Sequence, residues 1–241
     1  MRKAICFTML ISFLCCVPAI LGADFWDKKE YKQWSQKEVA KLLEDSPWAK
    51  DLTLTSVGVM DVSKESTDAQ QPFVKYQVIF RSAKPILQAF VRRAMIGQNY
   101  DSLPAEKKQE LDKLAEKALS TDFSSSVVVY VTYKTNNSDY DRQLARYWQS
   151  QTMDLLKNSV YLIPQKGDKV SLSQYAADQG AQRGFQFVFP REVNGKPILD
   201  SVKDKTLKLE FNYPVIGNMG DGRAFLEFKL DKMIFDGNVA Y

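Results

Sequence analysis

The sequence predicts an α+β fold, with a largely antiparallel sheet, one face of it covered by amphipathic helices, and a β-meander at the C-terminus. Three observations predict it. Apolar residues alternate with polar ones at Phe73–Arg81, Val127–Tyr133, Phe185–Phe189, Leu207–Tyr213 and Ala224–Leu230, the pattern of strands wet on one face. Stripes of helical period separate the earlier strands. The order is helix, strands, helices, strand, helix, several strands, not the regular strand–helix alternation of a parallel sheet. No linker of Pro/Gly/Ser character divides the chain, so residues 24–241 read as a single domain.

The elements follow in order. Trp34 to Lys50 (WSQKEVAKLLEDSPWAK) carries strong helix-start signals. Ser35 is an N-cap with Glu38 three residues on, a capping box, and Trp34 and Val39 are placed as a hydrophobic staple. Val39, Leu42 and Leu43 make the stripe, and Asp45-Ser46-Pro47 stops the helix, because the residue before proline is pushed out of helical geometry. Residues 52–60 suggest a strand whose alternation slips near Ser56–Gly58, as at a bulge, and 61–72 a polar loop. After the strand at 73–81, Pro85 opens a helix with Ile86, Leu87, Phe90, Val91, Ala94 and Met95 on one side. Leu111, Leu114, Ala115, Ala118 and Leu119 stripe the next helix. Ser138 begins a long helix carrying Leu144, Tyr147, Trp148, Thr152, Leu155 and Leu156. A short strand at 159–164 follows, and Leu172–Asp178 reads as a short helix. Asn194-Gly195, Asp221-Gly222 and Asp236-Gly237 are turn dipeptides within the β-rich remainder.

The N-terminus reads as a targeting segment. Arg2 and Lys3 precede an apolar run from Ala4 to Leu21 that closes on Gly22-Ala23, so residues 1–23 are expected to be a signal peptide cut after Ala23. The protein is therefore expected to be exported, to the periplasm or beyond. Phe13-Leu14 before Cys15 lacks the small residue that lipidation needs. No later run is long enough to span a bilayer, so no transmembrane segment is expected after cleavage.

This cut leaves a chain of unusual chemistry. All three cysteines (Cys6, Cys15, Cys16) lie in the signal, and the sequence holds no histidine. Ser-His-Asp and Cys-His nucleophile systems are thereby excluded, as are His- or Cys-bound zinc and haem ligated by those residues. No cofactor and no metal are expected. Of the net charge of +4, half leaves with Arg2 and Lys3. The remainder is too small and too evenly spread for a nucleic-acid partner.

Carboxylates remain. Glu210, Glu227 and Asp231 lie on polar strand faces beside Lys208, Lys229 and Lys232, as on a solvated sheet. Asp139-Tyr140-Asp141 coincides with a helix start, where acids are expected in any case. Gly217–Gly222 runs from strand to strand, so it is a hairpin turn and not a phosphate loop. The aromatics Phe25, Trp26, Tyr31 and Trp48 are candidate partner-binding residues, set against the plainer reading that they strap the N-terminal segment to the core. No catalytic residue is assigned.

The opening stretch resembles the W-[S/T]-x-K-E-x-x-x-L-L-x-D-S-P-W-A signature of a family of uncharacterised secreted bacterial proteins, mostly acidobacterial. Trp34, Ser35, Lys37, Glu38, Leu42, Leu43, Asp45–Pro47, Trp48 and Ala49 carry it, and the stretches RSAKPILQA (81–89) and FKLDKM (228–233) are similar too. The resemblance implies export and a bacterial source, and no activity. The expected function is a secreted, non-enzymatic binding or scaffold protein whose partner is a protein or polysaccharide of the envelope. The alternatives are a carboxylate-dependent hydrolase of envelope or extracellular polymers, and an accessory protein docked on an outer-membrane complex.

Overall fold

The structure is a computed structural model describing residues 24–55, 71–178, 183–200 and 204–241. Residues 1–23, expected to be a signal peptide and holding all three cysteines, and the bulge expected near 56–58 lie outside the described residues. In chain order the elements are α1 (Phe25–Lys28), a 3₁₀ turn (Tyr31–Gln33), α2 (Gln36–Glu44), β1 (Ala49–Thr55), β2 (Phe73–Phe80), α3 (Lys84–Gly97), a second 3₁₀ turn (Tyr100–Ser102) and α4 (Ala105–Leu119). There follow β3 (Ser126–Thr135), α5 (Ser138–Ser150), α6 (Met153–Leu156), β4 (Val160–Pro164), β5 (Val170–Ser171), β6 (Gln174–Ala177) and β7 (Gly184–Pro190). The chain ends in β8 (Glu192–Val193), β9 (Lys196–Pro197), β10 (Thr206–Tyr213), β11 (Gly222–Lys229), β12 (Ile234–Phe235) and β13 (Asn238–Val239).

The fold is α+β and its sheets are antiparallel. The strands divide into a five-stranded sheet, β1-β2-β3-β7-β6, and a four-stranded sheet, β11-β10-β4-β5. Their apolar faces meet. Phe80 meets Phe228 edge-on at 4.7 Å, and the Phe211 ring lies 5.8 Å from both Tyr76 and Phe187. The registers explain why these residues share a face: Tyr76, Val78 and Phe80 stand opposite Tyr133, Val131 and Val129, which in turn face Phe185 and Phe187 across β7. On the other face of the five-stranded sheet, α3 brings Phe90 to 6.3 Å from Tyr130, while Ile79 and Val128 are buried. α3 therefore covers that part of the face, whereas the Lys75, Gln77, Thr132 and Lys134 part stays open.

Local signals act as the sequence suggests. The capping box forms: Glu38 N–H donates to Ser35 Oγ at 3.3 Å, and Ser35 N–H to the Glu38 carboxylate at 2.8 Å. Asn194-Gly195 and Asp236-Gly237 each hold two consecutive positive φ angles, the I′ geometry that joins β8 to β9 and β12 to β13. Gly217 has φ +55°, and a Cβ there would collide with the Tyr140 ring.

Three helix expectations give way to tertiary context. No helix forms over 172–178; Gln174–Ala177 are strand instead, with Tyr175 and Ala177 paired to Phe187 and Phe185 at the edge of the large sheet and the Tyr175 ring tilted against both phenylalanines. The long helix from Ser138 breaks at Gln151, because Thr152 turns its hydroxyl to cap α6, leaving Leu155 64% exposed. Of the α4 stripe only Ala115 is buried, against Val91 and Met95 of α3.

Trp148 of α5 plugs one part of the core. It stacks on Phe185 at 4.0 Å and meets Tyr76, Phe187 and Phe211 edge-on. Burial pushes the Tyr76 phenol up. Trp148→Ala empties a fully packed site and should cost about 3–5 kcal/mol in urea denaturation.

Candidate binding site

A cleft of about 340 Å³ opens where the edge strands β1 and β11 run alongside each other. Four lysines line it. Lys41 comes from α2, Lys50 from β1, Lys229 from the end of β11, and Lys232 from the tight turn that follows, closed by Lys232 N–H on the Lys229 carbonyl. All four side chains are exposed, and among the described residues none makes an ion pair, although Asp24 and Asp45 share the lining. Trp26 and Pro47 supply the apolar wall. Lysine on an edge strand also deters edge-to-edge pairing, which accounts for Lys50 and Lys229. It does not account for Lys41 or Lys232, which lie on a helix and a turn.

Sequence periodicity did not single out these lysines, because each looks like an ordinary solvated charge in its own segment. Two segments far apart in the chain meet here: Lys41, Asp45–Pro47 and Lys50 from the first, Lys229 and Lys232 from the second.

The four aromatics named from the sequence sit differently from an open platform. Trp48 is fully buried and Trp26 nearly so, their rings 5.4 Å apart, and Trp26 shows the cleft only an edge. Phe25 and Tyr31 are half-buried against the core, in edge contact with Trp34 at 5.8 and 6.5 Å. The exposed surface expected of Trp26 and Trp48 is absent because these rings pack the N-terminal segment down. Trp34 is buried too. Its indole donates to the Lys29 carbonyl at 3.1 Å, and its own carbonyl accepts from Arg92 at 2.8 Å. Trp48, which local signals alone left unexplained, donates to the Ala240 carbonyl at 2.6 Å, tying the two ends of the described chain together.

The carboxylates singled out from the sequence are each exposed or paired with a cation. Glu210 is not solvated as its strand position suggests but 2% exposed, its two oxygens held by Lys169 at 2.8 Å and Arg223 at 3.0 Å. Long cationic stems cover it, and Lys169 lies over the Tyr161 ring. Glu227 pairs with Lys208 across β10–β11, and Asp231 is exposed. Asp139 and Asp141 pair with Arg142 and Arg183. No helix among the described residues is long and apolar enough to cross a membrane.

No protein-family model, curated protein or solved structure matches this chain.

Two predictions follow from the N-terminal strap. Trp48→Phe keeps an aromatic six-membered ring but removes the pyrrole half of the indole and with it the donor to Ala240. It should cost about 1–2 kcal/mol and speed hydrogen exchange at Ala240, whose N–H is bonded to the Met233 carbonyl. Asp101 tests the Arg92 anchor. Arg92 is buried and grips Asp101 through both terminal nitrogens, and this hydrogen bonding holds the Asp101 carboxyl below its ordinary range. A depressed folded value stabilises above the unfolded pKa of about 3.9 and is lost as pH falls through the folded one. Asp101→Asn should therefore lower the melting temperature at pH 7 and much less at pH 2.

Proposed function

We propose that this protein is an exported binding protein that holds an anionic ligand in the lysine-lined cleft. The observation that carries the reading is the convergence of Lys41, Lys50, Lys229 and Lys232, from a helix, two edge strands and a turn, on one cleft with no ion pair to neutralise them. Like charges gathered around one void repel each other, and an anion seated among them relieves that repulsion. Lysine ammonium groups are compact, hydrated point charges, so the site suits carboxylate, phosphate or sulfate without demanding the forked geometry of arginine. The Trp26 edge and Pro47 give the ligand's apolar parts a surface.

The cleft's one hydroxyl, Ser46, donates to the Leu42 carbonyl at 2.6 Å. Export is supported by the N-terminal segment alone.

Inorganic tripolyphosphate is a suitable first probe, followed by calorimetry and tryptophan fluorescence. The paired substitution Lys41→Gln/Lys232→Gln removes two exposed charges and leaves the core untouched. It should weaken binding about five- to tenfold, and affinity for the unaltered protein should fall as salt rises. Absence of binding, or binding indifferent to both lysines, overturns the reading.

A further inference from the structure

A second hollow, of about 390 Å³, opens on the uncovered part of the five-stranded sheet, within the size range of small-molecule sites. It is separate from the lysine cleft. Lys50 and Asp51 alternate along β1, so the cleft and the hollow lie on opposite faces of that strand and share only Asp45, at the end of α2. The floor is polar. Asp51, Gln77 and Thr132 stand in register across β1, β2 and β3, and Lys75 faces Lys134 across β2 and β3 one row further on.

Two charge placements here go against local electrostatics. Glu44 and Asp45 stand at the C-terminal end of α2, where the helix dipole is negative and disfavours a carboxylate. Lys75 and Lys134 stand directly opposite each other, a like-charge pair that destabilises a sheet. Asp51 ion-pairs with Lys75, which leaves Lys134. Among the described residues Glu44, Asp45 and Lys134 make no ion pair, and all three are exposed. Breaches of local rules collect where a protein has a function to serve. These two have opposite sign and line one void, so a single ligand with a cation at one end and an anion at the other relieves both.

The spacing sets the ligand's length. α2 packs beside β1, whereas Lys134 stands on β3, two strand spacings or ~10 Å away. A free amino acid carries both charges on one carbon and does not span that gap. Three residues of extended chain reach ~10 Å. Between the charged ends, Gln77 and Thr132 offer donors and acceptors to peptide N–H and C=O groups. We infer that this hollow binds a short peptide of about three residues with both termini free, its ammonium toward Glu44 and Asp45 and its carboxylate toward Lys134. The inference goes beyond the anion reading of the lysine cleft and does not depend on it.

The experiment is calorimetry on the intact protein at low ionic strength, with trialanine, its N-acetylated form, its C-terminal amide, and free alanine as the length control. Free trialanine should bind about tenfold tighter than alanine, and each blocked form about threefold weaker than free trialanine. Lys134→Gln should weaken free trialanine several-fold and leave the amide, which has no carboxylate to offer, unchanged. Glu44→Gln should weaken free trialanine and leave the acetylated form unchanged. Each substitution removes a charge that the local structure disfavours, so the melting temperature should stay level or rise, which separates lost binding from lost fold. Neither variant should alter tripolyphosphate binding at the lysine cleft. If trialanine does not bind, if blocking either end costs nothing, or if the variants weaken free and blocked peptides alike, the peptide inference is overturned while the lysine-cleft reading stands on its own test.

Discussion

The contact between the two sheets is the interaction on which everything else depends. The described residues include no cysteine and no histidine, and no cluster of three or more acidic side chains that could hold a metal ion. Stability must come from apolar area removed from water, and the aromatic rings supply much of it. Tyr76, Phe80, Phe185, Phe187, Phe211 and Phe228 meet between the sheets, with Trp148 wedged among them from α5. Edge-to-face geometry dominates these contacts, as the ring quadrupole favours.

A sandwich leaves edges, and beside one of them the two ends of the described chain meet. Trp26, Trp34 and Trp48 fold the N-terminal segment onto the core, and Trp48 holds Ala240. Arg191 secures the last residue, stacking on the Tyr241 ring at 4.2 Å and donating to its carbonyl, while its Nε serves the Phe123 and Ser126 carbonyls. The lysine cleft lies beside this closure, where β1 and β11 run at the sheet margins. Its position is thus a consequence of how the ends are tied down. An exposed aromatic platform and a well-anchored N-terminus compete for the same rings, and in this protein anchoring takes them.

The buried charges obey the same rule of compensation. Arg92 has a carbonyl and a carboxylate, and Glu210 has two cations. Neither leaves a charge uncompensated, as the cost of burying an unpaired ion requires. The cleft lysines are the contrast. They remain in water, where an unpaired charge costs little, and so they are available to a ligand.

Much of the fold was legible in the sequence because its signals are local. Period-two alternation put Val127, Val129 and Val131 on one face without reference to any neighbour, and Ser35 with Glu38 specified a helix start within four residues. The misread elements are those whose backbone found a better partner far away: β6 is strand because β7 offers it a ladder, and Leu155 faces water because Thr152 starts a new turn. The candidate site was not legible at all. Lys41, Lys50, Lys229 and Lys232 are separated by most of the chain, and each is unremarkable in its own segment. By itself the sequence determined the α+β class, the strand faces, the caps and the chemistries that lack of histidine removes, since these follow from residue type and short-range spacing. Only the tertiary structure decided that the apolar faces pair sheet to sheet, that Trp48 is a fastening, and that four scattered lysines share one void, because each depends on contacts between segments that no local pattern encodes.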